Sequence, residues 1–139
     1  MRCEISGLND IISDLEKLAD DTESIADEML DVAAEVMESS WRDEIERRGL
    51  IDTGSMRDNV KSKINRKNRV VDTYPQKKDE KGTSNATKAF VLHHGRDSGT
   101  GDGAIRATYF VNDVLENGNI KAQAAMHEVL DKHLKEKGL

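Results

Sequence analysis

An α+β fold, with a long N-terminal helical region and a C-terminal helix packed on a small, mainly antiparallel sheet, follows from three features of the chain. Apolar residues recur every three or four positions as far as Ile45, the period shortens to two between Val60 and Tyr74, and helical spacing returns from Ile120 onward. The 139 residues suffice for one domain, 1–139, with a modest core. Charged residues make up 35% and aromatic residues only 4%, so an isolated copy buries little apolar surface per residue and a partner is expected to complete it.

The first helical region carries Leu8, Ile11, Leu15, Leu18, Thr22, Ile25, Met29, Val32, Val36 and Ser39 in a heptad-like seam. A second row, Ala26, Ala33, Met37, Trp41 and Ile45, widens the apolar face. This face can pack on the chain's own sheet or on another subunit. Asp20-Asp21-Thr22-Glu23 reads as a break, with Asp21 or Thr22 capping a longer helix that runs to about Arg48. Gly49 stands where a left-handed C-terminal glycine belongs.

After the Asp52-Thr53-Gly54-Ser55 break, Met56 to Asn59 suits one helical turn. Val60, Ser62 and Ile64, then Val70, Val71 and Tyr74, read as two strands joined at Asn65-Arg66-Lys67-Asn68 and closed by Pro75. Residues 76–85 are polar and are expected to form a flexible loop that orders on assembly. Ala86 to His94 suits a strand or a short helix; Asn85 as cap and Gly95 as terminator favour the helix. Residues 96–103 read as a second flexible loop and Ile105 to Val111 as a strand, with Asn112 or Asp113 capping a turn that stops near Asn117-Gly118. The last helix is expected from Ile120 to Lys135, its apolar row being Ile120, Ala124, His127, Leu130 and Leu134.

Charge is segregated along the chain. Residues 1–52 hold 16 acids against 5 Lys/Arg, a net −11; residues 53–90 hold 10 Lys/Arg against 4 acids, a net +6; the remainder is close to neutral. Opposite faces on one molecule suit head-to-tail packing of identical subunits, although exposed charge is also the ordinary state of a surface. No apolar run reaches the roughly 18 residues of a membrane span, and the N-terminus has no apolar stretch of the secretory-signal kind. The single Cys3 cannot form an internal disulfide, which suits a reducing cytoplasm.

No constellation carries a convincing catalytic pattern. His93 and His94 are adjacent and point apart on a helix or a strand, and His127 and His133 do not share a helical face, so a metal centre built on them is disfavoured. The 97–103 segment, rich in Gly and Asp, lacks the ligand spacing of a calcium loop and the strand–helix context of a phosphate cradle. Thr53-Gly54-Ser55 has no readable base partner. Lys61, Lys63, Arg66, Lys67 and Arg69, with Lys77, Lys78 and Lys81, form the alternative reading, a small nucleic-acid-binding protein using the basic 61–81 region. Against it stand the acidic total, the scarcity of aromatic residues for stacking, and the lack of a helix-turn-helix or zinc module.

An ordered set of short motifs adds to this. Gly7-Leu8-x-x-Ile11-Ile12-x-x-Leu15, Ile51-Asp52-Thr53-Gly54-Ser55-Met56-Arg57-Asp58, Thr73-Tyr74-Pro75-Gln76, Lys81-Gly82, Asn85-Ala86 and Ala89-Phe90-Val91-Leu92-His93-His94-Gly95 follow one another. In this order the chain resembles the tail-component family encoded in the head-to-tail module of long-tailed phages and prophages, also called head–tail joining, neck or tail-completion proteins. It departs from the family pattern at Arg96–Gly103, which is longer, and at Tyr109-Phe110-Val111, which lacks a Pro-Phe pair.

The resemblance implies a structural, non-enzymatic virion protein without a cofactor, made in the bacterial cytoplasm and built into the neck or tail. The implied partners are copies of itself in a ring, the neighbouring head-connector proteins, and tail-tube or tail-terminator proteins, with DNA passing through the lumen unrecognised. The acidic helical face from Asp10 to Glu38 is a candidate lumen lining that would repel DNA and let it slide. The candidate interface residues are Asp52, Thr53, Gly54, Met56, Arg57, Tyr74, Lys77, Lys78, Lys81, Phe90, His93 and His94.

Overall fold

A computed structural model describes residues 8–97 and 103–138. Cys3, Gly7 and positions 98–102 of the glycine-rich loop lie outside the described residues. The elements in order are α1 (Leu8–Asp20), α2 (Thr22–Arg47), α3 (Ser55–Asp58), β1 (Val60–Asn65), β2 (Val70–Pro75), α4 (Asn85–His94) and α5 (Phe110–Glu136). The class is α+β, as the periodicities require.

The long helices α2 and α5 run antiparallel. Arg48, just past α2, hydrogen-bonds Asp113 in the first turn of α5, while Glu28 near the other end of α2 meets His133 at 2.6 Å and Asp21 binds Lys137. The opposite side of α2 carries the hairpin. Arg42 donates to the Val60 carbonyl at 3.0 Å, Glu38 accepts from the Ser62 amide, and Arg66 at the turn reaches Asp31 at 2.9 Å. A helix packed on two sides needs a wide apolar face. Burial is shared between the rows: Ala33, Trp41 and Ile45 of the second and Ile25 of the seam are enclosed, Ala26, Met37, Val32 and Val36 are half-buried, and Ser39 is exposed.

The hairpin pairs Val60 with Pro75 through Asn65 with Val70. That register puts Lys61, Lys63 and Asp72 on the outer face, and Val60, Ser62, Ile64 and Thr73 toward α2. Ser62 and Thr73 share a cross-strand hydrogen bond of 2.8 Å, and the Asn65 side chain accepts from the Asn68 amide to close the turn. The core is centred on the C-terminal half of α2. Trp41, Ile45, Met56, Val60, Ala89, Phe110 and Val114 form one cluster, with Trp41 and Phe110 edge-to-face at 5.8 Å between ring centres.

Four sequence expectations are corrected. Asp21 stands at the start of α2 but makes no capping bond; its carboxylate takes Lys137, and the Thr22 hydroxyl turns back to the Leu18 carbonyl. Ser84, not Asn85, caps α4, accepting from the Thr87 amide.

The residues from Ile105 onward form no strand. Ile105 makes a single bridge to Arg96, and Thr108 and Tyr109 donate their amides to the Leu92 and His93 carbonyls. The segment satisfies the orphan carbonyls at the C-terminus of α4 instead of joining a sheet.

Helix α5 begins at Phe110, runs through Asn117-Gly118 without a break, and buries Phe110, Val114, Gly118, Ala122 and Val129. The expected row fails because Ile120 is exposed, as are Ala124 and His127. Gly118 is there for closeness: an added Cβ would stand 2.7 Å from Met37 Sδ on α2.

The junction of α2 with α5 is polar. Glu44, almost enclosed, accepts from both Arg47 and Arg48, and Arg48 also donates to the Thr108 carbonyl. The Arg47 hydrogen bond foremost, with Arg48 beside it, holds the Glu44 carboxyl below the usual carboxylate range. A depressed carboxylate contributes stability above its unfolded pKa and loses that contribution as pH falls through the folded one. Glu44→Gln is therefore expected to lower Tm at neutral pH, with the difference from wild type closing below about pH 4, as followed by circular dichroism melts.

Gly95 has φ 82 and ψ 178, a conformation open essentially to glycine alone, and an added Cβ would lie 2.8 Å from the Ala107 nitrogen and the Ile105 oxygen. Gly95→Ala is expected to cost about 1–3 kcal/mol in urea unfolding.

Candidate functional site

The interface candidates from the sequence converge on the two flanks of α4. On one flank Asp52, Thr53, Gly54, Met56 and Arg57 line a groove of about 270 Å³ together with Leu50, Ile51, Thr83, Thr87, Lys88, Val91, Leu92, Arg96 and Ile105. On the other flank Tyr74, Phe90, His93 and His94 line a shallower shelf with Trp41, Pro75, Ala86, Ala89 and Val111. Lys77, Lys78 and Lys81 occupy the turn between the flanks, all three exposed.

A short polar network joins α3, β2 and α4. Asn85 is fully buried at the first position of α4, and its Nδ2 donates to the Gln76 carbonyl at 2.8 Å and to Ser55 Oγ at 3.1 Å. Asn59 Nδ2 donates to the same Ser55 carbonyl oxygen that Asn85 approaches. The 76–85 segment, expected as a flexible loop, carries its own bonds. Asp79 accepts from the Lys81 and Thr83 amides and pairs with Lys88, and Lys78 bridges to Ser84. The Lys88 hydrogen bond first, and the Thr83 amide next, hold the Asp79 carboxyl below its ordinary range.

Position decides what each candidate can present. Met56 is buried and forms part of the groove floor; Gly54 is buried at φ 85, where it lets the chain turn sharply into α3. Arg57 is held by Asp58 and Glu46 on the rim. Phe90 is 62% exposed and packs against His94 with its ring tilted by 50° and ring centres 4.4 Å apart, while His93 lies edge-on to His94 and to Tyr109. An exposed aromatic strip next to an apolar groove is more than the scattered apolar residues of an ordinary surface.

Of the two histidines, His93 serves the fold and His94 stays exposed. His93 Nδ1 accepts from the Val111 amide at 3.3 Å, taking up one of the free N–H groups at the start of α5. Among the described residues no group of three His, Cys, Asp or Glu side chains could hold a metal ion, and no described helix is long and apolar enough to cross a membrane.

The basic hairpin is partly spoken for: Arg66 pairs with Asp27 and Asp31, and Lys63 lies over the Tyr74 ring at 5.5 Å. The sequence reading missed the contributions of Leu50, Val91, Leu92 and Ile105 to the groove. They come from three separate segments, the turn after α2, α4 and the stretch before α5, and no local period links these.

The sequence model of the bacteriophage HK97-gp10-like family, described as "Bacteriophage HK97-gp10, putative tail-component", matches residues 9–95, well over half of the chain. The match takes in α1 through α4 and nearly all of both flanks. The chain belongs to this family of phage tail components. No curated protein and no solved structure matches it significantly.

Burial foremost, and the neighbouring His94, lower the His93 pKa. A histidine depressed on folding favours the neutral form, so its contribution is complete above the unfolded value near 6.5 and is lost as pH falls below it. Wild type is expected to lose more Tm between about pH 7.5 and about pH 5.5 than His93→Gln, measured side by side by calorimetry.

Proposed function

We propose that this chain is a non-enzymatic structural subunit of the virion that joins phage head to tail, acting as one member of a ring at the neck or at the tail-completion end. The observation that carries the reading is the convergence of the groove and the aromatic shelf on α4, within the span that matches a tail-component family. A surface of this kind suits docking: the apolar floor gains from exclusion of water, and the charged rim sets orientation and excludes wrong neighbours. The ring's other neighbours are head-connector proteins on one side and tail-tube or tail-terminator proteins on the other. DNA passes through the lumen without sequence recognition.

The acidic surface of α2 suits such a lumen in part. Asp21, Asp27, Glu28 and Asp31 have internal partners, whereas Glu23 and Glu35 are exposed. A repulsive wall needs the summed field of many carboxylates, and internal pairing reduces it locally.

Phe90→Asp with His94→Asp changes two exposed side chains, so the isolated variant is expected to melt within a few degrees of wild type. In an infected or induced culture it is expected to cut infectious titre sharply and to leave filled heads and unattached tails in micrographs. Normal particles from a strain lacking the chain altogether would contradict the reading.

A further inference from the structure

Phe, Tyr and Trp are scarce in this chain, five residues in all, and the fold gathers all five in one place. Trp41, Tyr74 and Phe90 line the shelf on the second flank of α4. Tyr109 and Phe110 meet His93 at its edge, with ring centres 5.6 and 6.3 Å away. Trp41 and Phe110 are buried and support the rest, whereas Phe90 is 62% exposed, Tyr109 57%, and His94 is exposed as well. The scarcity that counts against nucleic acid in the sequence therefore does not hold at this surface.

Unpaired cations border the strip. Lys61 stands across the hairpin from Tyr74, and Lys63 Nζ lies 5.5 Å from the centre of the Tyr74 ring. Lys77 and Lys78 follow the shelf residue Pro75, and the Lys77 carbonyl takes the Asn85 amide just before Ala86, which also lines the shelf. All four lysines are exposed, and among the described residues none of them forms an ion pair. Asp72 is the one acid from position 60 to 78, and no acidic side chain lines the shelf. The other hairpin cations are directed to α2: Arg66 pairs with Asp27 and Asp31, and Lys67 and Arg69 share a hollow with Glu23. The groove on the first flank differs, because Arg57 and Lys88 are neutralised there within the chain.

We propose that the shelf binds a single strand of DNA without sequence preference, its bases stacked on Phe90, His94 and Tyr109 and its phosphates held by Lys61, Lys63, Lys77 and Lys78. Open rings beside unpaired lysines are the two parts of a single-strand platform, and stacking tolerates any base because every base has a flat face. A duplex hides those faces, so the rings take unpaired bases only. A proline-rich peptide would use the rings and leave the lysines unanswered. Several rings along one surface suit successive bases better than one nucleotide. The choice of DNA over RNA, and that choice alone, rests on the reading of the chain as a subunit beside a DNA channel; the groove is left to protein neighbours.

The test is fluorescence anisotropy of the full chain with a labelled oligothymidylate of about 20 nucleotides, titrated between about 50 and about 200 mM salt. The single strand is expected to bind at least about ten-fold tighter than a duplex of the same length. Phe90→Ala and Tyr109→Ala, both at exposed positions, are each expected to weaken it about five-fold or more without changing the salt slope, and Phe90→Trp to restore binding. Lys61→Gln with Lys63→Gln is expected to flatten the slope by about 1.4, at about 0.7 per lost phosphate contact, whereas Lys67→Gln with Arg69→Gln leaves it unchanged.

Equal affinity for duplex and single strand, or Phe90→Ala binding as wild type does, would reduce the surface to a plain polyanion patch and overturn the proposal. Tighter binding of oligouridylate than of oligothymidylate would overturn the choice of DNA. The two readings fail separately. A chain required for particles that binds no single strand keeps the head–tail role and loses the shelf; a chain that binds as expected yet is dispensable for particles does the reverse.

Discussion

The fold depends on α2 being packed from both sides at once. One side takes α5, with Gly118 set close against the Met37 side chain, and the other takes the hairpin through Arg42, Glu38 and the Ser62 hydroxyl. Once both sides are occupied, little of α2 is left to cover anything else. Its C-terminal end carries the core around Trp41 and Phe110 and supports α3 and α4. Its N-terminal end carries α1, which finds no apolar partner for Ile11, Ile12 and Leu15 in the same chain. Apolar surface is therefore left uncovered on α1 and beside α4, in addition to the exposed Val70, Leu115 and Ile120.

Polar interactions fix how the elements meet more than how tightly. Arg48 collects Glu44, Asp113 and the Thr108 carbonyl at the point where α2 ends and α5 begins. Asn85 ties the ends of α3, β2 and α4 through its amide donors. Arg66 sets the hairpin on α2, but between exposed partners such pairs contribute little to stability. Buried polar groups are costly to leave unsatisfied: Glu44 takes both arginines, and Asn85 uses its amide nitrogen while its Oδ1 is buried without a partner.

Much of the fold is legible in the sequence where one local period dominates. The hairpin register follows from Val60, Ser62 and Ile64 alternating with lysines, and the end of the long helix from Gly49, which adopts φ 65. Legibility fails where a residue serves a distant neighbour. Gly118 looks like a helix stop, yet it is a close-approach point for Met37. Tyr109 and Val111 look like strand residues, yet their amides bind His93, through its carbonyl and its ring nitrogen. Asn85 looks like a cap because its type is common there, but the neighbouring Ser84 caps and Asn85 turns inward. Of the candidate site, Asp52 to Arg57 and Phe90 to His94 stand out as short motifs, whereas the groove's far wall at Arg96 and Ile105 depends on a long-range bridge.

The most direct test of the central claim, that this chain works by being covered on α1 and beside α4 by other subunits, is amide hydrogen exchange on the purified chain and on the same chain within assembled particles. The account predicts that α1 and the residues flanking α4 gain protection on assembly, while the α2–α5 pair, already closed, changes little. Equal protection of α1 and of the α4 flanks in the two states would contradict it.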